Sequence, residues 1–191
     1  MTSKELISIE PLVDIAEIGQ SISIDIRYAT TNNFTKKIIY KSDLCYLHKD
    51  VAIAVMKVQK YLEKQGLCLK IFDGYRPLWA QQILFDTLPD ERYVGNPKKT
   101  TRHTRGTAVD VTLINLSDNK ELEMPTEFDS FSEKAHLVYE DLENFIKKNR
   151  KLLQDAMIKI GGFEPLPNEW WHFDLKGWQD YPYLDIPGLY C

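Results

Sequence analysis

Two short stretches of this chain concentrate residues that bind metals and move protons. "TTRHTRGTAVDVTLI" (100–114) sets His103 seven residues before Asp110, and "EWWHFDL" (169–175) sets Glu169 three residues before His172. His103 lies just ahead of a glycine, on a loop able to approach an ion closely, and Asp110 lies in the strand that follows. Two imidazoles and one carboxylate are a ligand set used at catalytic zinc sites that keep one position open for water. If His172 binds a metal, a carboxylate outside the ligand set can take a proton from the bound water, whose pKa the metal brings near ~7. A spacing of three puts side chains on one face of a helix but on opposite faces of a regular strand. A turn or bulge must therefore intervene if Glu169 and His172 converge. Taken singly, each fragment also reads as a loop histidine, an edge-strand acid or a strand end.

A third element is "DGYRP", where Arg76 sits in a rigid turn between a strand and a helix. A guanidinium held there could donate two hydrogen bonds to a developing oxyanion or a substrate carboxylate. The competing reading pairs it with a structural acid such as Asp73.

These residues need a frame. "ISIDIRYAT" alternates apolar and polar residues and predicts a strand. "KDVAIAVMKVQKYLEKQG" carries Val51, Val55, Val58 and Leu62 on one face and stops at Gly66, the pattern of a packed helix. "LCLKIF" predicts a short buried strand, and "PLWAQQILFDTL" a second helix opened by Pro77. "TAVDVTLIN" is rich in β-branched residues and reads as a strand. "LENFIKKNRKLLQDAMIKIG" predicts a third helix with Leu142, Phe145, Ile146, Leu153, Met157 and Ile160 along one side. "EWWHFDLKGW" closes the series as a strand. Strands and helices mix without a βαβ rhythm, so the expected class is α+β: a small, largely antiparallel sheet flanked by helices, with the zinc site at the sheet.

At 191 residues, 43% hydrophobic and 12% aromatic, the chain is expected to form one domain over 1–191 with ample core. The 24 basic and 28 acidic residues leave a net charge of -4, which argues against nucleic acid as a partner. The basic run "PKKTTRHTR" reads as a solvated loop. Cys45, Cys68 and Cys191 have no disulfide or metal-knuckle spacing. No export signal and no membrane span are read, which places the protein in the cytoplasm, or in the periplasm if a signal was removed. His48 is expected at the surface or as a helix cap, and His136 outside any metal site. Trp170, Trp171, Phe173 and Trp178 are expected in the core and pocket wall, with Tyr181, Tyr183 and Tyr190 packing the tail.

"TRHTRGTAVD" is similar to the SxHxxGxAxD signature of the peptidase family that includes VanX-type D-Ala-D-Ala dipeptidases and VanY-type D,D-carboxypeptidases. "EWWH" resembles its ExxH element in the dipeptidase form, and "DIRYATTNNFT" and "FDGYRP" resemble dipeptidase segments. The resemblance spans roughly residues 25–175. It implies one zinc on His103, Asp110 and His172, with Glu169 as general base and acid and Arg76 stabilising the transition state. It further implies substrate contacts from Asp129 in "EFDSF", from Tyr28, and from Thr101, which stands where the signature has serine. The implied activity is zinc-dependent hydrolysis of the D-alanyl-D-alanine dipeptide. The alternative is a D,D-carboxypeptidase acting on peptidoglycan stem peptides, and a non-catalytic zinc-binding module is the reading from another class.

Overall fold

The computed structural model describes residues 10–19, 21–99, 101–186 and 188–190. Its strands are Leu12–Asp14 (β1), Ser23–Ile24 (β2), Tyr46–His48 (β3), Leu67–Asp73 (β4), Ala108–Asn115 (β5), Lys120–Glu121 (β6), Phe163–Pro165 (β7) and His172–Leu175 (β8). Its α-helices are Ile15–Ile18 (α1), Lys49–Glu63 (α2), Leu78–Thr87 (α3) and Asn144–Asp155 (α4). Six strands form one sheet in the order β2-β4-β5-β8-β7, with β6 pairing the far end of β5. Every pairing in it is antiparallel except β2 with β4. β1 and β3 make a separate antiparallel pair. The α+β class and the largely antiparallel sheet are therefore as expected.

Helix α2 buries Val51, Val55, Val58 and Leu62 completely, and the chain leaves it through Gly66 at φ +73, a conformation few side chains tolerate. At ~1.5–3 kcal/mol for each fully buried aliphatic side chain, this stripe alone is a major tie between helix and sheet. Strand β5 alternates between two duties. Val109, Val111 and Leu113 are fully buried in the apolar core, while Asp110 belongs to the opposite face with Ala108 and Thr112.

Two expected elements differ. The alternating "ISIDIRYAT" pairs only at Ser23–Ile24 before turning into a 3₁₀ segment, Arg27–Ala29. The Asn33 amide binds the carbonyls of Arg27, Thr30 and Lys37, and Arg27 lies 4.4 Å from the Phe72 ring centre, so the segment buries its residues as a turn rather than a strand. In the last helix, Phe145 and Ile160 are exposed and the buried face runs through Arg150, Leu153, Ala156 and Met157. A π-helical turn at Ala156–Ile160 accounts for Ile160, because the extra residue in that turn rotates it off the packed face.

His48 is buried and caps α2, its Nδ1 accepting from the Asp50 amide at 3.2 Å. Arg102, in the loop read as solvated, is bound: it holds Asp174 at 2.7 Å and lies over the Trp178 ring. Tyr190 stacks on Tyr40 at 4.4 Å, and Tyr181 packs on His48. Cys45 and Cys68 are free and buried, and Cys191 lies outside the described residues. Among the described residues no helix is long and apolar enough to cross a membrane.

Candidate active site

Strand register builds the floor of the site. On β5, Asp110 stands opposite His172 of β8, and a bulge in β4 after Ile71 brings Asp73 opposite Asp110 on the other side. Asp73, Asp110 and His172 thus form a row across three strands. Asp174, two residues beyond His172, falls on the same face.

His103 reaches this row from above. It opens a 3₁₀ turn, His103–Arg105, closed by Gly106 at φ +68; a Cβ on Gly106 would sit 2.7 Å from Leu12 Cδ2. The His103 carbonyl accepts from the Arg76 amide at 3.1 Å, and its Nδ1 donates to the Gly74 carbonyl at 2.7 Å. That bond leaves Nε2 with its lone pair directed at the floor. On His172, Nε2 donates to Asp174 at 2.8 Å, which turns Nδ1 toward Asp110 and His103. His103 Nε2 and His172 Nδ1 are 3.2 Å apart, and Asp110 lies 3.0 Å from the latter and 3.5 Å from the former. One donor atom from each of the three lies within 4.8 Å of the others, and all three residues are buried.

This donor set fits a dication. Both imidazoles are back-bonded, one to a carbonyl and one to a carboxylate, which is how metal-ligating histidines are oriented. The charge balance points the same way. Asp73, Asp110 and Asp174 are buried here, against Arg76 and the partly exposed Arg102. Burial opposes the charge on His172, yet Asp174 and then Asp110 push its pKa up to about 10. Burial likewise opposes ionisation of Asp110, but the two histidines hold it well below the usual carboxylate range.

Glu169 stands beside the donor set without joining it. The turn required between Glu169 and His172 is present: Trp170 and Trp171 turn into β8, the His172 amide bonding the Glu169 carbonyl. Glu169 Oε2 is 4.0 Å from His172 Nδ1, and its buried Oε1 has no hydrogen-bond partner among the described residues. Burial pushes its pKa up to about 8.

Arg76 is paired with Asp73, the competing reading of its turn, and its side chain lines the same cavity as the histidines. Nε donates to Asp73 at 2.9 Å, while Nη2 is 3.7 Å from Asp110 and Nη1 donates to Gln81 at 3.0 Å. Burial alone would disfavour its charge, but Asp73 leads the neighbours that keep it fully protonated. The Tyr28 ring lies beneath the guanidinium at 5.0 Å, and the Tyr28 hydroxyl donates to Asp129 at 3.2 Å. Asp129 adopts φ +61, a conformation costly for a residue with a side chain, and its second oxygen accepts from the Phe34 amide. Burial first, then Asp110, pushes its pKa up to about 7. Thr101 is buried with its hydroxyl against that of Thr104.

All eight residues singled out from the sequence line one cavity of about 60 Å³, room for a small solute. Phe34, Tyr93 and Phe131 also line it, with Phe131 ring centres 5.1 Å from both of the others. His136 lies outside the ligand group. Asp73, Asp174, Gln81 and the three aromatics were not singled out as site residues. Asp73 was legible only as a partner for Arg76, and Asp174 had a readable signal in its two-residue spacing from His172 in a strand.

A family model described as D-ala-D-ala dipeptidase, of the M15 peptidases, matches residues 9–186. The D-alanyl-D-alanine dipeptidase of Escherichia coli K12 is 39% identical over 173 residues, covering 91% of this chain and 89% of its own. The enzyme of that name from Enterococcus faecalis V583 is 30% identical over 190 residues, covering 88% and 92%. Among solved structures, VanYB in complex with D-alanine-D-alanine is similar at TM-score 0.43 and 15% identity, covering 72% of this chain and 76% of that one. With the family match spanning most of its length, this chain belongs to the D-Ala-D-Ala dipeptidase family of M15 peptidases.

Proposed function

We propose that this protein hydrolyses the D-alanyl-D-alanine dipeptide to two D-alanines, with one zinc held by His103, Asp110 and His172. The observation that carries this reading is the buried Glu169 Oε1, without a partner among the described residues, beside two back-bonded imidazoles and a carboxylate. Zinc in such a site, when bound, supplies Lewis acidity and lowers the pKa of water near ~7. Glu169, as its carboxylate 4.0 Å from His172 Nδ1 on the cavity wall, takes a proton from the attacking water as the new C–O bond forms. It returns that proton to the departing amine as the C–N bond breaks. Arg76, anchored by Asp73, donates to the carbonyl oxygen as it gains charge. Asp129 accepts from the substrate ammonium, Tyr28 orients Asp129, and the Thr101 hydroxyl hydrogen-bonds the substrate.

Chain length would be sensed by charge. A free dipeptide would bring both its ends into one small cavity, whereas a longer peptide has no ammonium to set against Asp129 and would leave that buried carboxylate without a counter-charge from the substrate.

The test incubates zinc-loaded protein with D-Ala-D-Ala, L-Ala-L-Ala and a D-Ala-D-Ala-terminated pentapeptide, measuring released alanine. Only the first should be cleaved efficiently. Efficient release from the pentapeptide would reassign the protein as a D,D-carboxypeptidase. In parallel, Glu169→Ala should keep its zinc and lose ~10²–10⁴-fold in turnover. A variant that loses its zinc would make Glu169 a ligand.

A further inference from the structure

We propose that Gln81 is a positioning residue for this reaction, one amide that both aims the Arg76 guanidinium and clamps the Tyr93–Gly95 loop over the cavity. The inference rests on the dipeptidase reading. Gln81 lies in the first turns of α3 and is 1% exposed. Its Oε1 accepts from Arg76 Nη1 at 3.0 Å, and its Nε2 donates to the Gly95 carbonyl at 2.7 Å. A buried amide with its acceptor and one donor both engaged has one orientation, so the two bonds are coupled.

Each partner bears on the site. Arg76 is held by Asp73 on one flank and by Gln81 on the other, which removes the freedom of an arginine side chain to swing. The neutral amide adds this restraint without another negative charge beside a guanidinium that Asp73 and Asp110 already surround. On the other side, Tyr93, Val94 and Gly95 form part of the cavity wall. Gly95 approaches so closely that a Cβ there would lie 3.2 Å from Thr101 Cγ2 and 3.8 Å from Gln81 Nε2. The loop therefore rests on Thr101 and is tied by Gln81. The same residue that holds the oxyanion donor also holds one wall of the pocket that limits substrate length.

Two variants separate the halves of the role. Gln81→Leu removes both bonds, and Gln81→Glu keeps the acceptor for Arg76 while losing the donor to Gly95. Both are measured by steady-state hydrolysis of D-Ala-D-Ala and by hydrogen exchange of peptides covering 92–97 and α3. Gln81→Leu should lose on the order of 10²-fold in kcat, the cost of a misplaced catalytic group, and its 92–97 amides should exchange faster while those of α3 do not. Gln81→Glu should show the same fast exchange at 92–97 but recover kcat at least tenfold over Gln81→Leu. Wild-type exchange at 92–97 in Gln81→Glu, or no kcat difference between the variants, overturns the proposal, including when Gln81→Leu does not fold. If the wild-type protein cleaves no D-Ala-D-Ala, the dipeptidase reading fails, and the exchange of 92–97 still decides the clamp.

Discussion

Asp129 shows how a single residue can be kept at a cost to the fold. It combines a positive φ with a carboxyl whose pKa burial raises to about 7. A carboxyl raised above its unfolded value of ~3.9 stabilises nothing when ionised. Its penalty is absent below about pH 4, grows as pH rises, and is complete above the folded value. Asp129→Asn removes that penalty. In metal-stripped protein, Asp129→Asn should therefore be more stable than wild type at pH 8 and equal to it below pH 4, measured by urea midpoints across pH. With zinc bound, the proposed contact between Asp129 and the substrate ammonium predicts that the same variant raises KM for D-Ala-D-Ala. A variant less stable than wild type at pH 8 would show that Asp129 has a structural partner outweighing its desolvation.

At the scale of elements, the site is a consequence of register. Asp110 faces His172 because β5 and β8 pair there, and the β4 bulge brings Asp73 into the same row. Strand β8 also supplies the orienting acid, since Asp174 shares the face of His172 and accepts from its Nε2. Arg102 from the His103 loop holds Asp174 in turn. Removing such an outer partner typically costs ~10–100-fold in metal affinity. Asp174→Ala should show a loss of that size in competition with a chromophoric chelator, while Asp174→Asn, which keeps an acceptor, should lose less. Unchanged affinity in Asp174→Ala would remove it from the metal's support.

Across the whole molecule, the donor set joins parts of the chain that are distant in sequence: the turn before β5, β5 itself and β8. A dication bound there ties the sheet to the His103 loop and binds only the folded chain. At a thousandfold excess over Kd it adds ~4 kcal/mol, on the order of 10 °C in Tm for a protein of this size. Chelation should lower the wild-type midpoint by that amount, and His103→Ala should start low and ignore the chelator. A wild-type midpoint indifferent to chelation would show that the folded chain holds no tight metal.

What the sequence by itself determined was whatever depends on near neighbours. The α2 stripe, the β-branched run of β5 and the need for a turn between Glu169 and His172 follow from local period and residue type. The candidate metal group His103, Asp110 and His172, which the fold brings together, was legible because metal chemistry admits few residue types and four histidines left few candidates. Only the tertiary structure decided the rest. "ISIDIRYAT" has the period of a strand, but Asn33 collects three carbonyls and bends it into a turn. Phe145 was read as a core residue from helical spacing, yet that position meets solvent. The tautomer of His103 hangs on the Gly74 carbonyl, 29 residues away, and Tyr28 meets Asp129 across 101 residues. Gln81 meets the Gly95 carbonyl only because the loop after α3 folds back over the cavity. Such bonds leave no periodicity in a sequence, because they are set by how packed elements place chain segments that local propensity never brings together.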